Sequence, residues 1–224
     1  MGFLYTPLPL WVAFGSWAIA AGLLLLAGWK NPFQRLRDTT LQHAWFAIVV
    51  AITVLWACNA WMDDGTVIHL LGATLLVTLF DWPLALIAMA AIIGLAASVF
   101  DAPWQGIGLT FVVFGAIPVA ASALLQRAFI ALLPGNPLTY ILSQGFALPA
   151  CAAITTLLAA LAVHAMLTGN PLAPAPTSYA VSTLLLTSAE AWFTGISTLL
   201  IAIYRPAWIT TYDVQRYRLG KPRL

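Results

Sequence analysis

Long apolar runs dominate this chain, and they constrain its fold more than any other feature. Of its 224 residues, 62% are hydrophobic and only 7% are charged, and the mean hydropathy is +0.94. Soluble domains carry about 25% charged residues, so this chain cannot cover a surface that faces water. The composition predicts an all-α integral membrane protein in contact with the lipid bilayer, a single transmembrane helical domain over residues 1–224.

A transmembrane helix needs roughly 20 apolar residues, and about seven segments of the sequence approach that length. Breakers such as "DWP", "DAPWQG" and "GNPLAPAP" separate them. The third segment is short, and the sixth is long enough to tilt, to bend at Pro149 or to be two pieces. The predicted segments are Leu10–Trp29, Leu41–Trp61, Thr66–Phe80, Pro83–Phe100, Gly106–Gln126, Leu138–Leu167 and Ser178–Tyr204.

The distribution of basic residues predicts the orientation of these segments. Lysine and arginine mark the cytoplasmic loops of membrane proteins. They follow the first, fifth and seventh segments, whereas the loops after the second and fourth hold Asp63, Asp64 and Asp101 and no basic residue. We therefore expect the N-terminus outside and the C-terminus in the cytoplasm, with a basic tail at residues 205–224.

A polar stripe interrupts the seventh segment. Glu190 stands at its middle, and Thr183, Thr187 and Thr194 fall on the same helical face. Ionisable residues inside membrane spans are costly, and most of them are functional. The stripe predicts either a structural carboxyl that is hydrogen-bonded to a neighbouring helix or a polar intramembrane pathway.

A histidine, His69, stands three residues into the third segment, shortly after Asp63 and Asp64. Neutral imidazole binds cobalt, nickel, copper and zinc well, and acidic residues on the same side gather cations. A packing role is the alternative. At about 1.5 Å per residue, His69 lies roughly 5 Å and Glu190 roughly 18 Å below the outer ends of their helices. The two could share an ion only if the segment before His69 dips inward.

Motifs for chemistry on nucleotides or acyl groups are missing from the sequence. It has no P-loop, no G-x-S-x-G elbow and no CxxC pair. A single histidine and a carboxyl at a different depth do not make an intramembrane active site. We therefore expect neither an enzyme nor a nucleic-acid-binding protein.

Three stretches of the sequence resemble one family of membrane proteins. "HLLGATLLVTLFDWPLALIAMAAIIGLAASVFDAPWQGIGLTF", from His69 to Phe111, resembles the CbiM-type permeases of energy-coupling-factor transporters, the substrate-specific membrane subunits for cobalt and nickel uptake. "SAEAWFTG", around Glu190, is similar to the family's Gly-Glu-Ala segment. "YRPAWITTYDVQRY" resembles the C-terminal tail of a smaller proteobacterial branch of that superfamily.

The resemblance implies a multi-pass protein of the bacterial inner membrane that binds the substrate of a transporter. That substrate would be a divalent transition-metal ion, Co²⁺ or Ni²⁺, and no cofactor would be bound permanently. Energy would come from a separate coupling transmembrane subunit and ATPase subunits. His69 carries over as the metal-binding histidine, and the Met1 amine, Asp63 and Asp64 are expected to complete the site.

Two positions depart from the family's pattern. Typical members begin Met-His, and that second histidine joins the metal site, whereas this chain has Gly2. The family's Leu-Gly-x-Asn run has Thr110 in place of asparagine. The alternative function is therefore a non-transporting structural or assembly subunit of a larger membrane complex that reuses the permease fold.

Overall fold

The computed structural model describes residues 3–6, 8–58, 60–61, 67–169 and 176–212. Within this part of the chain, six helices are long and apolar enough to cross a membrane, which confirms the all-α membrane fold. Two-residue strands, β1 (Ala60–Trp61) and β2 (Val67–Ile68), pair antiparallel ahead of the third helix. The helices are α1 (Leu10–Trp29), α2 (Thr39–Ala57), α3 (Ala73–Val99), α4 (Trp104–Leu132), α5 (Pro137–Thr168) and α6 (Pro176–Tyr204).

The described chain has six long helices where the sequence predicted about seven, because α3 combines the third and fourth predicted segments. Asp81 interrupts α3 with a positive φ of 67° and a ψ of 163°. Pro83 follows, and it has no N–H to donate to the preceding turn. The helical hydrogen bonding therefore stops between Phe80 and Pro83, and α3 consists of two arms.

The first arm of α3 begins at Ala73, not at Thr66 as the sequence predicted. Val67 and Ile68 are taken up by pairing with β1. Gly72 has a left-handed φ of 71°, which a glycine adopts readily but which ends a right-handed helix. Residues 69–72 therefore form a non-helical entry to the bundle.

The direction of the first arm is shown by its contacts with α2. Trp56, near the end of α2, donates its Nε1–H to the Leu71 carbonyl oxygen at 3.3 Å. Trp45, near the start of α2, donates to the Leu84 carbonyl oxygen at 3.4 Å. The chain from Leu71 to Leu84 thus runs antiparallel to α2.

The second arm runs back past the level at which the first began, because its 17 residues, Pro83–Val99, span about 25 Å. The carbonyl oxygen of Phe100, just after α3, accepts a hydrogen bond from the Tyr5 hydroxyl at 2.5 Å. Tyr5 lies shortly before the start of α1. Ala73–Phe80 and the residues from Pro83 onward therefore form a helical hairpin, and the first arm is only about 12 Å long. This hairpin lies at the centre of the bundle with most of its side chains buried, and all five other helices contact it.

The fourth and fifth helices each contain a π-helical stretch, Phe111–Ala116 and Ile141–Ala147. Each stretch ends two residues before a proline, Pro118 or Pro149. A proline ring crowds the carbonyl four residues earlier in a helix, and a wider turn gives that carbonyl room. Pro149 therefore leaves α5 continuous.

The C-terminal strap, residues 205–212, closes one end of the bundle. The Leu79 carbonyl has no helical donor because Pro83 lacks an N–H, and the Thr210 hydroxyl donates to it at 2.5 Å. Thr210 Oγ1 also accepts from Arg35 at 3.2 Å. The neighbouring Thr211 hydroxyl contacts Tyr140 and Gln126. The rest of the predicted tail, from residue 213, lies outside the described residues.

We call this end of the molecule the basic end. The loop between α1 and α2 meets the strap here, and Gln126 brings the last turns of α4 to the same level. Loop charge predicts that this end faces the cytoplasm. The basic residues here are Lys30, Arg35, Arg37, Arg127 and Arg205.

Candidate functional site

His69 lies in the non-helical segment between β2 and α3, at the opposite end of the first arm from the strap. Its side chain is 8% exposed. The imidazole centroid is 4.1 Å from the Trp56 ring and 6.1 Å from the Phe114 ring. The two aromatic side chains hold the imidazole in one place inside the bundle.

One ring nitrogen of His69 meets the backbone. Nδ1 is 3.2 Å from the Leu70 carbonyl oxygen. A carbonyl oxygen can only accept a hydrogen bond, so Nδ1 carries the proton in this contact and Nε2 carries the lone pair of the neutral ring. A metal-bound imidazole usually donates a hydrogen bond from its other ring N–H to a carbonyl or carboxylate in this way. The Nδ1 contact of His69 with a backbone carbonyl is thus the contact that such a ligand makes.

The Glu190 carboxyl group, on α6, is 1% exposed and accepts two backbone hydrogen bonds from the segment that bears His69. The donors are the N–H groups of Leu71 and Gly72, and the Gly72 nitrogen is 3.2 Å from Oε1 and 3.4 Å from Oε2. Amides at and just before the start of a helix have no helical acceptor, and the carboxyl oxygens of Glu190 supply one. Glu190 thus caps the first arm of α3.

Residues 69–72, which we call the loop of His69, connect His69 to Glu190. Ideal helices starting at the membrane surface would instead place the two residues at different depths in the membrane. Residues 69–72 reach into the bundle as far as the middle of α6. This is the arrangement that the sequence analysis required for His69 and Glu190 to share a site. Gly72 makes this descent feasible, because a Cβ at this position would lie 2.8 Å from the Ile52 Cδ1 atom. The structure therefore ties the loop of His69 directly to Glu190.

The N-terminal segment is inserted beside this loop. Phe3 is buried, its N–H donates to the Thr110 hydroxyl at 3.1 Å, and its ring lies 6.1 Å from that of Phe114. Gly106 accommodates the segment, because a Cβ there would lie 2.7 Å from the Leu4 carbonyl carbon and closer still to the Phe3 and Leu4 carbonyl oxygens. Phe114 thus contacts both the N-terminal segment and His69.

The buried face of α6 differs in part from the predicted stripe. Glu190 and Thr194 are buried, whereas Thr183 and Thr187 are half-buried beside them. The hydroxyls of Thr187 and Thr194 have no hydrogen-bond partner within the described residues. The buried side chains of α6 recur every four residues, at Ser182, Leu186, Glu190, Thr194 and Thr198, and Gly195 is buried beside Thr194.

Three predicted site residues, Met1, Asp63 and Asp64, lie outside the described residues. Among the residues that the structure describes, no three histidine, cysteine, aspartate or glutamate side chains cluster closely enough to hold a metal ion. Of the predicted metal-binding residues, the described part of the chain therefore contains only His69, together with the surroundings that orient its ring.

Several residues of this site carry no functional signal in the sequence. Trp56 and Phe114 stand in apolar runs where an aromatic residue is ordinary, and Phe3 precedes the first helix. Gly106 has the best signal, because a glycine in a helix often marks a close backbone approach. Its partner could not be read from the sequence.

Comparison with known proteins identifies the family. The family model for CbiM, described as the cobalt uptake substrate-specific transmembrane region, matches residues 6–208. No curated protein and no solved structure gave a significant match. The match covers all six membrane helices and contains His69, Thr110 and Glu190. The chain is therefore a multi-pass membrane protein that belongs to the CbiM family of cobalt uptake transmembrane components.

Proposed function

We propose that this protein is the substrate-binding permease subunit of an energy-coupling-factor-type transporter for Co²⁺ or Ni²⁺, and that His69 binds the ion. The observation that carries the proposal is the fixed imidazole, which has Nδ1 on a backbone carbonyl and stands on a segment capped by Glu190. Both ions favour imidazole nitrogen. Cobalt has the additional support of the family's description.

The Met1 amine, Asp63 and Asp64 are proposed to complete the ligand set. Two residues span at most about 7 Å, so an N-terminus that continues from buried Phe3 can reach the neighbourhood of Phe114 and His69. Gly2 has no side chain to take the place of the family's second histidine. The N-terminal segment is thus part of the site and not only a lead-in to α1.

Gly106→Ala is expected to displace the N-terminal segment, because the new Cβ would overlap the backbone of Phe3 and Leu4. Overpacking of this kind costs roughly 1–3 kcal/mol. We expect a lower unfolding temperature in detergent and weaker cobalt binding by calorimetry. Gly22→Ala is the matched control, since nothing lies within 4 Å of a Cβ at that position in α1. Equal cobalt affinity in the two variants would remove the N-terminal segment from the site.

Glu190 is proposed to position the loop of His69. Its two backbone hydrogen bonds hold Leu71 and Gly72, two and three residues after His69. A polar intramembrane pathway over Glu190, Thr183, Thr187 and Thr194 remains a second proposed role for the same stripe. The hydroxyls of Thr187 and Thr194 support it, because they have no partner among the described residues and could accept a hydrogen bond from water or bind an ion.

We propose that other proteins supply the energy for transport, in line with the family and with a sequence that has no P-loop. We propose a coupling transmembrane subunit and ATPase subunits as partners, in the bacterial inner membrane, with the basic end of the bundle toward the cytoplasm. The ion is substrate, and no permanently bound cofactor and no enzymatic step are proposed.

The experiment that tests this function is cobalt uptake into proteoliposomes. The chain, with its native N-terminus, is reconstituted with the coupling and ATPase subunits of a cobalt transporter from the same cell. We expect accumulation of radiolabelled Co²⁺ that depends on ATP and on the presence of this chain. ATP-independent background uptake, together with co-purification in a complex that lacks an ATPase, would instead support the structural or assembly subunit.

A further inference from the structure

A groove on the membrane-facing side of the bundle is not used by the proposed metal site. It has a volume of about 280 Å³ and lies between α1 and α4, over the second arm of α3. The helix α1 packs against Trp104–Thr110 and the π-helical stretch, whereas the rest of α4 packs against α3 and α5. The two helices therefore diverge toward the basic end, and the groove fills the gap. It is lined by Leu23, Trp82, Leu86, Ala116, Val119, Ala120, Ala123, Leu124 and Arg127.

The depth of the groove matches one leaflet of a bilayer. It follows one face of α4 from Ala116 to Arg127, a distance of about 16 Å at 1.5 Å per residue. The hydrocarbon core of a bilayer is about 30 Å thick. A groove of half that length fits an acyl chain of one leaflet and is too short for a transmembrane helix of a partner.

The open end of the groove carries a positive charge. Arg127 is exposed, and it makes no hydrogen bond or ion pair with any residue that the structure describes. Trp82 lines the same end, half-buried, at the level where tryptophan favours the membrane–water interface. Basic pockets between transmembrane helices on the cytoplasmic side are a recognised setting for anionic lipid headgroups.

We propose that this groove binds an anionic phospholipid of the leaflet at the basic end. One acyl chain lies along Ala116, Ala120 and Ala123, and the phosphate pairs with the Arg127 guanidinium. The lipid fills the gap between α1 and α4 and ties α1 to the central hairpin.

The proposal is tested by native mass spectrometry of the full-length protein after equilibration with phosphatidylglycerol or with phosphatidylcholine of the same chain length. We expect the wild-type protein to retain phosphatidylglycerol in preference. Arg127→Gln should weaken that retention about fivefold and leave phosphatidylcholine unaffected, because one basic side chain near the lipid surface contributes a modest electrostatic attraction. Arg37→Gln, an equal charge change at an exposed site of the same end, should have no effect.

A second pair of variants tests the acyl-chain contact. Ala123→Phe should block the groove and remove retention of both lipids, whereas Ala18→Phe, on the exposed face of α1, should not. Equal phosphatidylglycerol retention by Arg127→Gln and Arg37→Gln would overturn the proposal, even if Ala123→Phe cannot be purified. Normal retention by Ala123→Phe, with weaker association of the coupling subunit, would assign the groove to a protein partner instead.

Discussion

His69→Ala is expected to abolish cobalt uptake in cells that carry the complete transporter. Loss of a partner that merely orients a metal ligand costs about 10- to 100-fold in affinity, so loss of the ligand itself should cost at least about 100-fold. The imidazole also packs against Trp56 and Phe114, and alanine would leave a cavity there. Uptake of radiolabelled Co²⁺ and calorimetric binding to the purified variant are the two measurements.

His69→Phe separates the ligand from the packing. Phenylalanine keeps an aromatic ring between Trp56 and Phe114 but has no nitrogen, so the fold should survive while cobalt binding is lost. His43→Ala is the matched control, because His43 is exposed near the basic end of α2. If His69→Phe still bound cobalt with wild-type affinity, His69 would be a packing residue.

Glu190→Leu is expected to have the second largest effect, on stability and on cobalt affinity together. Leucine is close to glutamate in size but accepts no hydrogen bond, so the N–H groups of Leu71 and Gly72 would be left unpaired inside the bundle. Each buried donor without a partner costs about 1–3 kcal/mol. The unfolding temperature in detergent should fall clearly, and the affinity for cobalt should fall with it.

Glu190→Gln separates the hydrogen bonds to the loop of His69 from any role that needs an ionisable carboxyl group. Its amide oxygen can still accept from Leu71 or Gly72, so most of the stability should return. If the loop of His69 is held only by these hydrogen bonds, cobalt affinity should recover in the same variant. If the Glu190→Leu protein had normal stability and normal cobalt affinity, the hydrogen bonds from the loop to Glu190 would contribute to neither folding nor cobalt binding.

The membrane fold could be predicted from composition alone, because 7% charged residues leave no alternative to lipid. The boundaries of most helices follow from length and breakers. The central hairpin could not be predicted in full, because "DWP" indicates a tight break between two helices but does not show that a single residue, Asp81, makes it. The C-terminal strap is held at this break by the hydrogen bond from Thr210 to the Leu79 carbonyl, which has no helical donor. A hydropathy pattern cannot predict such a contact.

The site was only half visible in the sequence. His69 and Glu190 stood out as ionisable residues in apolar runs, yet ideal helix counting placed them at different depths. The path of residues 69–72 into the bundle depends on the left-handed backbone of Gly72. It also depends on the two backbone hydrogen bonds that Glu190 accepts. Such tertiary contacts have no periodicity, and the same holds for the insertion of Phe3 over Gly106.

Cobalt X-ray absorption spectroscopy is the most direct test of the claim that His69 binds the transported ion. The protein, with its native N-terminus, is loaded with one equivalent of Co²⁺, and the spectrum is compared with that of His69→Phe. We predict imidazole scattering in the wild-type spectrum and its loss in the variant. A spectrum with no imidazole contribution, or identical spectra for the two proteins, would contradict this account.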